Sequence, residues 1–275
     1  MKFSVLLSLY YKEKPEYLQQ SIDSILSQTL LPDEIVIVKD GPLTEELDAI
    51  LEEYRQKCPY LKFVTLKENV GLGIALNEGL KHCSNELIAR MDTDDICMPE
   101  RFAKQVAIFI AHPEYDLVSA WVDEFAGTID NVKTTRYLPE LPDQIFEYGK
   151  RRCPVNHPVT MFKKSSVEKV GGYMHCLNLE DYYLWARMLV NGAKFYNIQE
   201  SLLWFRISDE VFKRRGGFRY AKTEAAFMWE LYKIGYIGAV IAILYGVLRF
   251  FVRVVPSSWR AYLYRNLLRK SCKID

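Results

Sequence analysis

The chain has 275 residues, with 36 Lys and Arg against 35 Asp and Glu for a net charge of +1, and it is 49% hydrophobic with 14 Gly and 11 Pro. That is the composition of a core-forming globular chain, and it excludes collagen-like, low-complexity and intrinsically disordered classes. Six scattered cysteines form no Cys-x-x-Cys pair and no secretory leader precedes the first strand-like run, so a reducing cytoplasmic setting without disulfides or structural zinc is expected.

In chain order, Phe3 to Leu9 reads as a buried strand, Leu18, Ile22, Ile25 and Leu26 recur at helical spacing, and Glu34 to Val38 is a second strand. Leu47 to Tyr54 continues as helix, Leu61 to Leu66 as strand, Gly73 to Leu80 as helix and Glu86 to Met91 as strand. This β-α alternation predicts a mainly parallel sheet with helices on both faces. Ligands then bind at the carboxyl edge of the strands. After Asp116 the pattern loosens, with strands near Leu117 to Val122 and Val159 to Phe162 and a helix from Glu180 to Val190.

The strand exits carry the chemistry. They read Ser8-Leu9-Tyr10, Lys39-Asp40-Gly41, Asn69-Val70-Gly71 and Asp92-Thr93-Asp94-Asp95. Three carboxylates in four residues repel one another unless something positive offsets them, which suits Mg²⁺ or Mn²⁺ shared with substrate phosphates. A solvated acidic turn with Asp95 capping the next helix is the other reading. The spacing is not that of a calcium loop. Asn69-Val70-Gly71-Leu72-Gly73 opens a helix and can admit a phosphate near the backbone, but Leu76 stands where a dinucleotide fingerprint needs its third glycine. Glu180 and Asp181 open a helix beside Trp185, as dipole partners or as a general base. His157, in Asn156-His157-Pro158, is a structural residue or an acceptor contact. Arg206, Arg214 and Arg215 are phosphate clamps or interfacial anchors.

Taken together and in order, Ser4 to Tyr10, Ser24-Ile25-Leu26-Ser27-Gln28-Thr29, Asp40-Gly41, Asn69-Val70-Gly71, the Asp-x-Asp-Asp tetrad and Glu180-Asp181 resemble the family 2 inverting glycosyltransferases of the GT-A fold, over about Lys2 to Ser208. Asn156-His157-Pro158, Gly171-Gly172-Tyr173, Glu180-Asp181-Tyr182 and Arg214-Arg215-Gly216-Gly217 are similar to bacterial enzymes that build O-antigen, capsule or exopolysaccharide units, such as the amylovoran type. The resemblance implies an α/β, Rossmann-like mixed sheet in a catalytic unit of residues 1–212. Its nucleotide-sugar half covers about 1–115 and its acceptor half 116–212. It places Ser8, Tyr10, Asp40 and Asn69 around a UDP-sugar, with galactose as the guess for the sugar. Asp92 faces the donor or the metal, Asp94 holds Mn²⁺ or Mg²⁺, and Asp181 is the catalytic base, with Glu180 as the second choice. The acceptor implied is a sugar on polyprenyl diphosphate. Two departures stand out: Lys39-Asp40-Gly41-Pro42 keeps one acid where the family often has two, and Ile207-Ser208 follows Arg206 where many members offer a histidine ligand. An inactive nucleotide-sugar-binding protein and a membrane-associated scaffold are the other classes still open at this point.

The remaining residues, 213–275, read as a helical tail. Lys213 to Asp275 holds 13 Lys/Arg and 3 Asp/Glu, which leaves 23 and 32 for the first 212 residues. Ile234 to Leu248 is uncharged and apolar, and Arg249 and Arg253 follow it. Such a run suits an anionic membrane surface better than nucleic acid; it falls short of the ~20 apolar residues of a spanning helix, which makes spanning the weaker option beside an interfacial helix with Ile237, Ile241, Leu244 and Leu248 facing lipid. Peripheral or monotopic attachment at the cytoplasmic face of the inner membrane is the expectation. A helix packed on the catalytic unit, or on a second copy in a homo-oligomer, is the alternative.

Overall fold

Strand β1, Phe3–Leu9, is buried on both faces, as a continuous apolar run requires in the middle of a parallel sheet. It lies between β2, Glu34–Lys39, and β4, Leu87–Arg90, both parallel to it, and β3, Leu61–Thr65, extends the sheet beyond β2. The computed structural model describes residues 1–176, 179–207 and 218–254. Beyond β4 come β8, Met161–Lys163, antiparallel to β4 and to β6, Leu117–Phe125; then β9, Phe195–Arg206, parallel to β6; and the short β5, Ile96–Cys97, antiparallel to β9. The edge strand β7, Val132–Arg136, pairs with β6. Strands β1 to β4, β6 and β9 thus share one direction while β5, β7 and β8 oppose it, so the expected mixed, mainly parallel sheet is what forms.

Alternation along β1 divides the interior into two cores. Phe3, Val5, Leu7 and Leu9 join α1 (Pro15–Leu26), α2 (Glu45–Lys57) and α4 (Arg101–Ala111), through side chains such as Leu18, Leu47 and Phe102. Leu6 faces the other side, where α3 (Leu72–His82) and α7 (Glu180–Val190) contribute Leu76, Trp185 and Met188. Each fully buried side chain of this size stabilises by about 1.5 to 3 kcal/mol. Local signals set the helix ends. Pro15 pre-sets the first turn of α1, and Thr44 Oγ1 accepts the Leu47 N–H at 3.3 Å to cap α2. Helices α5, Pro142–Gly149, and α6, Lys164–Lys169, complete the second half.

Past β9 the chain forms a helical hairpin of α8, Phe218–Lys233, and α9, Ala239–Val254. Its inner side belongs to the second core: Phe227, Met228 and Leu231 are buried, the Phe227 ring lies 4.8 Å from that of Tyr182, and the Tyr236 hydroxyl donates to the Phe146 carbonyl at 2.8 Å. The expected lipid-facing set therefore needs correction. Ile237 precedes α9 and is buried, and Ile241 is half-buried, because packing of Tyr236 and Ala242 on the core fixes the helix phase. The outward stripe is Val240, Ile243, Leu244, Val247, Leu248 and Phe251. Among the described residues no helix is long and apolar enough to cross a membrane. The expected hinge, Arg214-Arg215-Gly216-Gly217, lies outside the described residues, as does 255–275.

Candidate active site

The carboxyl edge of the parallel strands gathers the expected groups. Ser8 is half-buried near the end of β1 and Tyr10 is exposed just past it, while the Asp40 N–H donates to the Leu9 carbonyl at 2.7 Å and so ties the first two exits together. The buried Asp40 carboxylate turns to the third exit. One oxygen accepts the Val70 N–H at 2.7 Å, and the other accepts the Gly71 N–H at 3.2 Å and Asn69 Nδ2 at 3.1 Å. Asp40 thereby caps α3 from a neighbouring strand, a carboxylate against a helix N-terminus. Gly41 makes the approach of these loops possible. Its φ is +84°, and a Cβ there would lie 2.7 Å from Asn69 N.

At the exit of β4, ligand atoms of Asp92, Asp94 and Asp95 lie within 4.8 Å of one another. Asp95 is fully buried and does not cap α4, whose first residue follows Glu100; one of its oxygens instead accepts the backbone N–H of Arg206 at 2.8 Å. The alternative of a solvated turn is thus ruled out for Asp95. Its other oxygen, Oδ2, is buried without a hydrogen-bond partner. Burial, then Asp92, then Glu13 push the Asp94 carboxyl up to about 7. Burial and the two neighbouring aspartates push Asp95 well above the carboxylate range. Crowded acids with a buried, unpartnered oxygen fit a hard divalent cation, and the three carboxylates together could hold one without a histidine.

Three arginines underlie this cluster. Arg90, at the end of β4 and 1% exposed, donates from Nη2 to Asp92, while its Nε and Nη1 have no partner. Arg101 is fully buried beneath it and donates to the Arg90 carbonyl at 2.6 Å. Arg206 closes the far side. Its guanidinium donates to the Asp94 carbonyl at 2.7 Å and to Gln20 Oε1 at 2.6 Å, and its centre stands 3.9 Å from the Tyr17 ring. Arg206 is therefore a brace for the acidic loop, its fork already engaged, rather than a phosphate clamp held open. Arg214 and Arg215 fall outside the described residues. On α1, Ser21 donates to the Asp92 carbonyl at 2.9 Å, and Thr93 donates to Glu13 at 2.6 Å.

Helix α7 brings the remaining acids from the other side. Glu180 and Asp181 occupy its first turn; Glu180 lies 3.4 Å from His175 Nδ1, and Asp181 Oδ2 lies 3.9 Å from His157 Nδ1. His157 to Val159 forms a 3₁₀ turn, with Pro158 offering no N–H to a ladder, so the strand expected from Val159 to Phe162 runs from Met161 to Lys163 instead. Burial, helped by Arg90, pushes the His157 imidazole well below the usual histidine range, so it is neutral near pH 7. The Tyr173 hydroxyl is 2.9 Å from His157 Nε2, and burial, with the charges of Asp181 and Asp92 added, pushes its phenol above the usual tyrosine range. Sequence reasoning assigned no role to Arg90 or Glu13, gave Asp95 only a capping role, and used Tyr173 only as part of a motif. The available signal was an arginine inside an otherwise apolar strand, since a charge there needs a buried partner.

A model of glycosyl transferase family 2 matches residues 4–171, from β1 through the acidic triad and His157. The chain belongs to glycosyltransferase family 2. Among family members it is 38% identical over 269 residues to the Escherichia coli UDP-Gal:alpha-D-GlcNAc-diphosphoundecaprenol beta-1,3-galactosyltransferase, covering 98% of this chain and 97% of that one. It is 39% identical over 264 residues to the amylovoran biosynthesis glycosyltransferase AmsE of Erwinia amylovora, covering 96% and 98%. The fold is GT-A-like. Staphylococcus aureus TarS 1-349 in complex with UDP-GlcNAc superposes with a TM-score of 0.68 at 17% identity, over 99% of this chain and 77% of that one. A Pyrobaculum calidifontis mannosyltransferase in complex with GDP-Man and Mn²⁺ gives 0.64 at 15%, over 96% and 78%.

Proposed function

We propose that this glycosyltransferase moves a sugar, galactose first among the candidates, from a UDP-sugar to a saccharide on polyprenyl diphosphate, with inversion at the anomeric carbon. The observation that carries the reading is the acidic triad at the β4 exit, in a chain whose α7 opens on Glu180 and Asp181 with Asp181 3.9 Å from the buried His157. Support for donor and acceptor comes from the galactosyltransferase relative, whose alignment runs through the hairpin as well as the catalytic unit.

Ser8 and Tyr10 line the uracil end of the cleft, and Asp40 shapes it by holding Asn69 and Val70 in place. Asp92 and Asp94, with Asp95 behind them, would hold Mn²⁺ or Mg²⁺, which neutralises charge on the departing diphosphate. Asp181 accepts the proton of the acceptor hydroxyl. That oxygen forms the new bond to the anomeric carbon from the face opposite UDP, and the electron pair of the breaking bond leaves on the diphosphate. The test is a screen of UDP-sugars with α-GlcNAc-diphosphoryl and related lipid acceptors, read as UDP release and product formation. Turnover with a UDP-sugar and a lipid-linked acceptor is expected. Turnover only with other nucleotides, or only with free sugars, contradicts the reading.

The hairpin supports a peripheral position at the cytoplasmic face of the inner membrane. Its outward stripe flanks a groove of about 350 Å³ lined by Trp229, Ile243, Val247, Phe250 and Phe251. The chain from Arg253 to Asp275 adds six Lys or Arg and one Asp, the sign that anionic headgroups attract. Flotation with anionic and neutral vesicles decides: binding that needs anionic lipid is expected, and a dimer that ignores vesicles assigns the stripe to a second copy instead.

A further inference from the structure

Resting on the reading of Asp181 as the base, we infer that His157, held by Tyr173, is a positioning residue that fixes the Asp181 carboxylate for proton abstraction. The imidazole bridges two groups with its two nitrogens: Nδ1 is 3.9 Å from Asp181 Oδ2 and Nε2 is 2.9 Å from the Tyr173 hydroxyl. A phenol has one proton to give. When Tyr173 donates it to Nε2, the ring's own proton sits on Nδ1 and points at the carboxylate; the opposite tautomer would turn a lone pair toward a negative charge. The groups facing the ring thus select the useful tautomer. They are Asp181 from α7, Tyr173 from the loop after α6, and Arg90 from β4, whose positive charge opposes protonation of the imidazole.

The ring is held on every side. Trp185 packs edge-on at 5.7 Å, the His157 carbonyl accepts from Thr160 Oγ1 at 2.9 Å, and Asn156 Nδ2 anchors the preceding residue to the Ala120 carbonyl at 2.9 Å. Tyr173 is pinned in turn by Asn77 of α3, which accepts the Tyr173 N–H at 2.8 Å and donates to its carbonyl at 2.7 Å. Orientation therefore passes from the donor-side helix α3 through Tyr173 and His157 to the acceptor-side base. The 3.9 Å separation is about 1 Å beyond a hydrogen bond, a gap of the kind that closes when a reacting complex assembles.

Asparagine places an amide nitrogen near the Nδ1 position and glutamine near Nε2, which separates the two contacts. With UDP-galactose and an α-GlcNAc-diphosphoryl lipid, or the pair that replaces them in the screen above, His157→Gln should lower kcat about ten- to a hundredfold, the effect of a misplaced catalytic group. The KM for donor should not change, and the acid limb of the pH–rate profile should move to higher pH, since the lost donor no longer favours the ionised carboxylate. His157→Asn should restore most of kcat, and Tyr173→Phe should fall between. UDP affinity and thermal midpoint are followed in parallel. An unchanged kcat and acid limb in His157→Gln overturns the inference, as does an equal loss in both His157 variants with the limb unmoved. If His157→Gln does not fold, Tyr173→Phe, which deletes one hydroxyl, decides on the same criteria. Turnover surviving in Asp181→Asn overturns the base itself, whereas a dead Asp181→Asn beside a normal His157→Gln overturns only the positioning.

Discussion

Glu34 opens β2 at the amino end of the sheet, 4% exposed, and its carboxylate collects Ser4 Oγ, Ser84 N and Lys62 Nζ, each at 2.5 Å, with Ser84 Oγ at 3.1 Å. Burial alone would raise this carboxyl; the bonds from Lys62, Ser4 and Ser84 outweigh it and hold the group at about 2. Against an unfolded value near ~4.3, that depression corresponds to roughly 3 kcal/mol. Lys62 is half exposed, so its share is screened, and about 2 kcal/mol is the better figure. The sign follows from a folded value below the unfolded one: the stabilisation is complete above about pH 5 and is lost as pH falls toward 2. Glu34→Gln should therefore be less stable than wild type by about 2 kcal/mol at pH 7, with the difference roughly halved near pH 3 and approaching zero only below about pH 2. Urea unfolding at pH 7, 5, 4 and 3 measures it. UDP affinity at pH 7 should be unchanged, because Glu34 stands at the sheet edge opposite the strand exits. A difference that stays constant across pH would refute the electrostatic account and leave only lost packing.

Chelation should abolish turnover and Mn²⁺ or Mg²⁺ restore it, while Asp94→Asn should cost about a hundredfold or more in kcat, the scale seen when one group stabilising developing charge is removed; full activity of that variant in chelator sinks the metal role. Asp181→Asn should keep UDP binding within a few-fold yet lose about 10² to 10⁴ in transfer, read by calorimetry beside UDP release. If Glu180→Gln is the inactive variant and Asp181→Asn turns over normally, the base is Glu180. Gly41→Ala should destabilise by about 1 to 2 kcal/mol for its left-handed backbone alone, and weaken UDP binding as the Asn69 loop is pushed away; unaltered melting and UDP titration curves would contradict the close-approach argument.

The first half of the fold was legible because β1 to β4 and their helices are local patterns of period 2 and 3.6, and because parallel strands place their exits on one edge. The second half was not. Strand β9 pairs with β6 and β5, far away in sequence, and its Arg206 meets Asp95 across 111 residues, a contact no window of sequence contains. The roles of Asp40 and Asp95 were blurred for the same reason: an acidic residue in a loop looks alike whether it faces solvent, caps a helix on another strand or lies buried beneath a neighbour. Position within the tail helix also eluded periodicity, since the apolar run around Ile237 and Ile241 serves the core while residues one or two places on face outward.

The three arginines beneath the acidic triad bear on the order in which the protein matures. Where a metal supplies the only offset to clustered ligands, the empty chain is unfolded and the ion must be present at birth. Here Arg90 pairs with Asp92, the Arg206 backbone N–H meets Asp95 while its guanidinium holds the Asp94 carbonyl, and Arg101 holds the Arg90 carbonyl, so the chain's own groups anchor the loop. If the triad takes Mn²⁺ or Mg²⁺ as proposed, the loop can be completed in a cell poor in manganese and loaded later, and metal supply would then set activity rather than the amount of folded enzyme.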